Sequence, residues 1–315
     1  MNDTQSRRGK VLAYLMLALG LVGAAVTVLL RAWLVPSQRD IETGLFTTNF
    51  IVMLVVVFIL MLLGGAACLL RGGERREISG KPALLLALVL LGAGIATAVF
   101  ALLDLLVRLE VIDFYHVTNE VLGDNETNPM RIALQWLQPS LGILSGVVFA
   151  RLGLTLASEG STRRGMAQWG VLIPVLWQWV VLANYEMSYA SMVRLSDGFF
   201  SLGMYVMEML FLLFFARYIS GVGKVGHATM LFFSTGAVVC VLSAPLVRVA
   251  MYLQQDGEAY AAAGAAGPLD VVVGLLALTV SITICQCLSP VSKDTEEPQE
   301  FVSELVEGFD ELDVE

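Results

Sequence analysis

Runs of about twenty apolar residues, separated by short polar connections, recur along nearly the whole chain. At about 1.5 Å per residue, each run is long enough as a helix to cross the ~30 Å apolar core of a bilayer. The pattern predicts eight spans: residues 11–34, 46–70, 83–107, 132–157, 167–190, 198–219, 228–253 and 268–288. Residues 1–10 read as a polar leader and 289–315 as an acidic tail. The first run is too long for the apolar part of a secretory signal and ends in no small-residue cleavage site, so it reads as an uncleaved span. The short alternating segments of a membrane barrel are absent. The expected fold class is an all-α integral membrane protein built as an eight-helix bundle.

The connections carry the orientation, because Lys and Arg concentrate on the cytoplasmic side. With the first terminus inside, the inner side receives thirteen Lys and Arg and the outer side six. Most of the inner excess lies in residues 71–82 and 158–166. An even number of spans then places both termini in the cytoplasm. The expected location is the plasma (cytoplasmic) membrane.

Several spans carry polar or small residues along one face. In 198–219, Ser201, Tyr205 and Glu208 fall at i, i+4 and i+7 and share a side of the helix. Glu208 lies near the middle of its run. A charged side chain at mid-bilayer costs about 2.5–3.5 kcal/mol on insertion scales, so Glu208 is expected to face the bundle or a water-filled cavity. Its inert alternative is a buried Glu bonded to a neighbouring helix for packing. Similar stripes are Gly20, Ala24, Thr27 and Arg31; Thr97, Ala101, Asp104 and Arg108; and Arg131, Gln135, Gln138, Gly142 and Ser145. Two more are Pro174, Gln178 and Tyr185, with Asn184 and Glu186 beside them, and Asp270, Gly274 and Ser281.

These stripes mix two ingredients. Small residues such as Gly142-x-x-x-Gly146 let helix backbones approach, while polar ones bond between helices or line a path. Depth separates some cases. Arg31, Asp104, Arg108, Arg131, Glu186, Arg248 and Asp270 all fall in the outer third of their spans, where side chains commonly reach the interface. Asp104 and Arg108 also stand four apart and can satisfy each other. The sharper expectation is a polar vestibule narrowing toward Glu208. No Lys or Arg shares the depth of Glu208; Arg151 and Arg248 are each offset by about 10 Å along the membrane normal. Pro139, Pro174 and Pro245 fall inside spans and are expected to kink them.

Composition agrees with the pattern. Hydrophobic residues make up 57% of the 315 and charged residues 15%, against roughly 25% charged in a soluble domain. The net charge of −9 belongs to the tail, because residues 291–315 hold ten acids and one Lys while the rest holds eighteen of each sign. A basic nucleic-acid surface is therefore not expected. From Gln299 to Glu315, Phe301, Val302, Leu305, Val306, Phe309 and Leu312 fall near helical spacing. That suits an acidic amphipathic segment that docks on a cytoplasmic protein, or else a solvated tail.

The motifs of self-contained chemistry are missing. The two histidines, His116 and His227, lie outside the middles of the spans, which argues against haem held between helices. No zinc-protease motif and no phosphate-binding Gly-rich loop occurs. Ser145 has no intramembrane His to act as its base. The four cysteines suggest no disulfide framework. No cofactor, metal or catalytic residue is expected; a membrane enzyme would rest only on Asp104, Glu186 and Glu208 as spare carboxyls. The expected function is a small-solute carrier or permease with an intramembrane carboxyl. Its candidate binding residues are Glu208, Tyr205, Gln135, Gln138, Gln178, Asp104 and Arg248. The alternative is a non-catalytic membrane subunit or sensor that binds a cytoplasmic partner through its acidic tail.

Overall fold

The computed structural model describes residues 3–37, 49–70, 78–109, 111, 129–160, 170–189, 195–221, 225–253 and 267–288. Among these residues the α-helices are α1 (Asp3–Ser37), α2 (Asn49–Leu69), α3 (Lys81–Arg108), α4 (Pro129–Glu159) and α5 (Ile173–Tyr189). They continue with α6 (Leu195–Ser220), α7 (His227–Ala237), α8 (Ser243–Leu253) and α9 (Pro268–Cys287). No strand occurs among the described residues. The acidic tail and most of the long connection after α3 lie outside them.

Seven helical stretches of the described residues are long and apolar enough to cross a membrane. They mark a multi-pass integral membrane protein. Apolar side chains such as Leu29, Phe58, Met61, Leu88 and Leu154 cover the outside of the bundle, as a lipid-facing surface requires. The first helix begins at Asp3, so residues 3–10 of the polar leader and the first apolar run form one continuous helix. The fifth run is the exception in length. α5 has 17 residues and follows a three-residue 3-10 turn, Gly170–Leu172. Pro174 is the second residue of α5, where a missing N–H costs no helical bond. It opens a helix there and does not kink one.

The centre of the bundle is the stretch from α7 to α8. Of its most apolar window 78% is buried, against 22% for α2. This stretch packs on α1, α2, α6 and α9. It is not a regular helix: Val238–Leu242 is one wide π turn between α7 and α8. Pro245 explains its place. Proline cannot donate to the carbonyl four residues back, and its ring crowds that carbonyl. Widening the preceding turn relieves the crowding without breaking the rod. Gly274 of α9 lies against this turn; a Cβ there would stand 3.1 Å from the Leu242 Cα.

The largest interface joins α3 to α4. A Cβ at Gly146 would stand 2.6 Å from the Ala98 nitrogen and 2.7 Å from the Gly94 oxygen. At Gly153 it would stand 2.7 Å from the Ala87 oxygen. The two backbones touch because glycine occupies these points, which is the close packing that small residues permit in lipid. Elsewhere hydroxyls join helices: Ser281 of α9 donates to Ser234 of α7 at 2.8 Å, and both are buried. Ser281→Ala is expected to cost about 0.6 kcal/mol, the mean for such bonds between membrane helices. Thermal unfolding in detergent measures it; a loss of several times that size would mean that Ser281 supports more than this bond.

Candidate functional site

Glu208 sits at mid-helix, twelve residues before the last residue of α6, Ser220. It is fully buried, and its neighbours on the same face, Tyr205 and Ser201, are buried as well. The helical repeat that aligned the three in sequence turns all of them inward. The face is closed on one side by α5. There the Gln178 side-chain amide donates to Glu208 Oε2 at 2.7 Å, and Gln178 is itself 1% exposed. Three residues further along α6 toward Leu195, the Tyr205 ring meets Tyr185 of α5 with centroids 5.1 Å apart. The α5–α6 interface therefore carries a tilted aromatic pair as well as an amide–carboxyl pair.

A second carboxyl arrives from α9. Asp270 lies in the first turn of that helix, where its Oδ2 accepts the Gly267 backbone N–H at 2.6 Å. A carboxylate suits this position because it satisfies a free helix N–H and meets the positive end of the helix dipole. Asp270 is nevertheless buried. Its carboxyl comes within hydrogen-bonding reach of Glu208, and the Arg248 guanidinium of α8 acts on it by charge. The site thus draws one side chain each from α5, α6, α8 and α9: Gln178, Glu208, Arg248 and Asp270.

One atom in this cluster stands out. Glu208 Oε1 is buried and has no hydrogen-bond donor among the described residues. Two ionised carboxyl groups can only accept. Facing each other they leave such an oxygen unsatisfied, and a proton placed between them would satisfy it.

The other expected site residues lie in different surroundings. Gln138 of α4 is half-buried and accepts the Asn184 side-chain amide of α5 at 2.7 Å. Gln135, one turn away, is also half-buried. Asp104 pairs with Arg108 along its own helix, 3.1 Å from the guanidinium Nε, with both side chains about a quarter exposed. That local pair engages Asp104 away from Glu208. Asp104→Asn is accordingly expected to change stability by no more than about 0.5 kcal/mol, as exposed i, i+4 pairs do. A chemical denaturation series measures it, and a cost several times larger would place Asp104 in the core.

Two placements differ from the sequence expectation. Charges near span ends are expected at the interface, yet Arg31 is 2% exposed and Asp270 7%. The Arg31 guanidinium lies 4.0 Å from the centroid of the Phe200 ring, a cation–π contact that helps hold the charge inside. Glu186 keeps the expected behaviour and is exposed. Of two tryptophans on α5, Trp177 packs on Gly142 of α4 and Trp179 faces outward.

Asp270 is the residue that sequence reasoning undervalued. Its signal was present in the stripe Asp270, Gly274 and Ser281, since the last two are the points where α9 touches the π turn and α7. A helix whose small residues face the centre of the bundle turns its first-turn acid the same way. Among the described residues no group of His, Cys, Asp and Glu could hold a metal ion. No family model, no curated protein and no solved structure matches the chain.

Proposed function

We propose that the chain is a small-solute carrier of the plasma membrane, with Glu208 as its working carboxyl and eight spans that leave both termini in the cytoplasm. The observation that carries this reading is the placement of Glu208. It is a fully buried carboxyl at mid-helix, bonded to Gln178 and facing Asp270. Ionisable groups in the membrane interior are costly and mark solute or ion paths by default. The π turn within the α7–α8 rod beside it is a local irregularity of the kind that recurs at functional sites. α5 serves as the eighth span: it supplies about 25 Å, and the 3-10 turn before it adds about 6 Å.

A thermal-shift screen tests this reading. Purified full-length protein is incubated with amino acids, sugars, nucleosides and organic amines, beside Glu208→Gln. At least one compound class should stabilise the wild type and leave the variant unshifted, because selective binding to the folded state raises its stability. Equal shifts for both proteins, or none across the panel, would count against Glu208 as a working group.

A further inference from the structure

We infer that Glu208 and Asp270 together hold one exchangeable proton, with Arg248 as the permanent positive charge beside the pair. The inference deepens the carrier reading by naming its coupling ion, and it is tested separately from transport.

The geometry places three of the four carboxyl oxygens of the pair. Glu208 Oε2 accepts from Gln178, and Asp270 Oδ2 accepts from the Gly267 N–H. The remaining oxygen of Glu208, Oε1, is buried without a donor. The group that reaches Glu208 is another carboxyl, that of Asp270. Two acceptors in contact need a hydrogen between them. A proton added to Glu208 Oε1 forms one O–H bond, breaks none within the protein, and donates to the Asp270 carboxylate. Asp270 then keeps its negative charge beside the Arg248 guanidinium. Loaded, the cluster is neutral; emptied, it carries one negative charge in a buried place. Such a pair titrates as a unit and not as two independent acids.

The surroundings supply little else that could take this role. Among the described residues, the other titratable or charged side chains buried on elements packed against α6 include Tyr185 of α5, Tyr205 of α6 itself, Cys240 of the π turn and Arg31 of α1, which lies on Phe200 near the start of α6. Among the described residues, Asp270 is the ionisable group that acts on Glu208, and Arg248 acts on Asp270. Arg248 stands in α8, just beyond the π turn and Pro245. A bend there moves the counter-charge relative to Asp270 and so links proton release to a change in the central rod.

Infrared difference spectroscopy tests the assignment on full-length protein in liposomes stepped between acid and alkaline buffer. The expected result is a carbonyl band of one neutral carboxylic acid per chain, shifted by deuterium exchange. Glu208→Gln should remove it, Asp270→Asn should remove or displace it, and Glu159→Gln at the exposed end of α4 should leave it unchanged. A wild-type spectrum without such a band, or a band indifferent to both substitutions, would overturn the inference. Should Glu208→Gln fail to fold, Asp270→Asn and the wild-type isotope shift still decide. Removal of the band by sodium chloride, but not by choline chloride, would assign the site to a metal cation and reject the proton. A clear band in a protein that moves no solute would sink the carrier reading and leave the proton site standing.

Discussion

Gly146→Leu is expected to be among the most damaging single substitutions outside the polar cluster. A Cβ at this position would stand 2.6 Å from the Ala98 nitrogen and 2.7 Å from the Gly94 oxygen. Both are backbone atoms of α3, so no rotamer change clears the space. The helices must separate, and separation also opens the contacts at Gly94 and Gly153 along the same seam. Overpacking a tight core costs about 1–3 kcal/mol and occasionally more. The upper part of that range applies here, because the obstacle is main chain. Gly92→Leu is the matched control, since nothing lies within 4 Å of a Cβ there. Thermal unfolding of the three proteins in detergent should show a large drop for Gly146→Leu and almost none for Gly92→Leu. Similar midpoints for both variants would mean that α3 and α4 do not meet at these glycines.

Glu208→Gln is expected to abolish uptake while sparing the fold. The amide keeps the shape of the carboxyl, and its oxygen can still accept from Gln178, so the 2.7 Å contact survives. Its NH2 group can donate to Asp270, replacing the hydrogen that the loaded pair provides. The variant therefore imitates the loaded state and cannot leave it. Unfolding midpoints should stay close to the wild type, whereas uptake into proteoliposomes of any solute found by the shift screen should fall to background. Normal uptake by a folded Glu208→Gln protein would return Glu208 to a packing role.

The hydrophobic pattern made the helices legible, because about twenty apolar residues in a row have few other solutions. The inward face of α6 was legible for the same reason that any helical face is: Ser201, Tyr205 and Glu208 obey the repeat, and all three are buried. Gly142-x-x-x-Gly146 announced a close helix contact on α4. Its partner was hidden, because Gly94 and Ala98 look like many other small residues until the register of two helices is known. The meeting of Glu208 with Asp270 was hidden more deeply. The residues are far apart in the chain, and periodicity along one helix says nothing about which helix it will face. Depth reasoning also misplaced Asp270 and Arg31, since a charge near a span end can turn inward where a ring, a backbone N–H or another charge receives it. The π turn at Val238–Leu242 left only one trace in the sequence, Pro245, which predicted a disturbance but not its form.

The most direct test couples solute to proton. Full-length protein is reconstituted into liposomes containing a pH-sensitive dye, and a solute that stabilised the wild type is added outside. A carrier that works through Glu208 predicts a change of internal pH that follows solute entry and is missing from Glu208→Gln vesicles. Solute that binds to the protein but does not cross the bilayer would contradict the carrier and point to a sensor, and entry without any proton movement would separate Glu208 from the transport step.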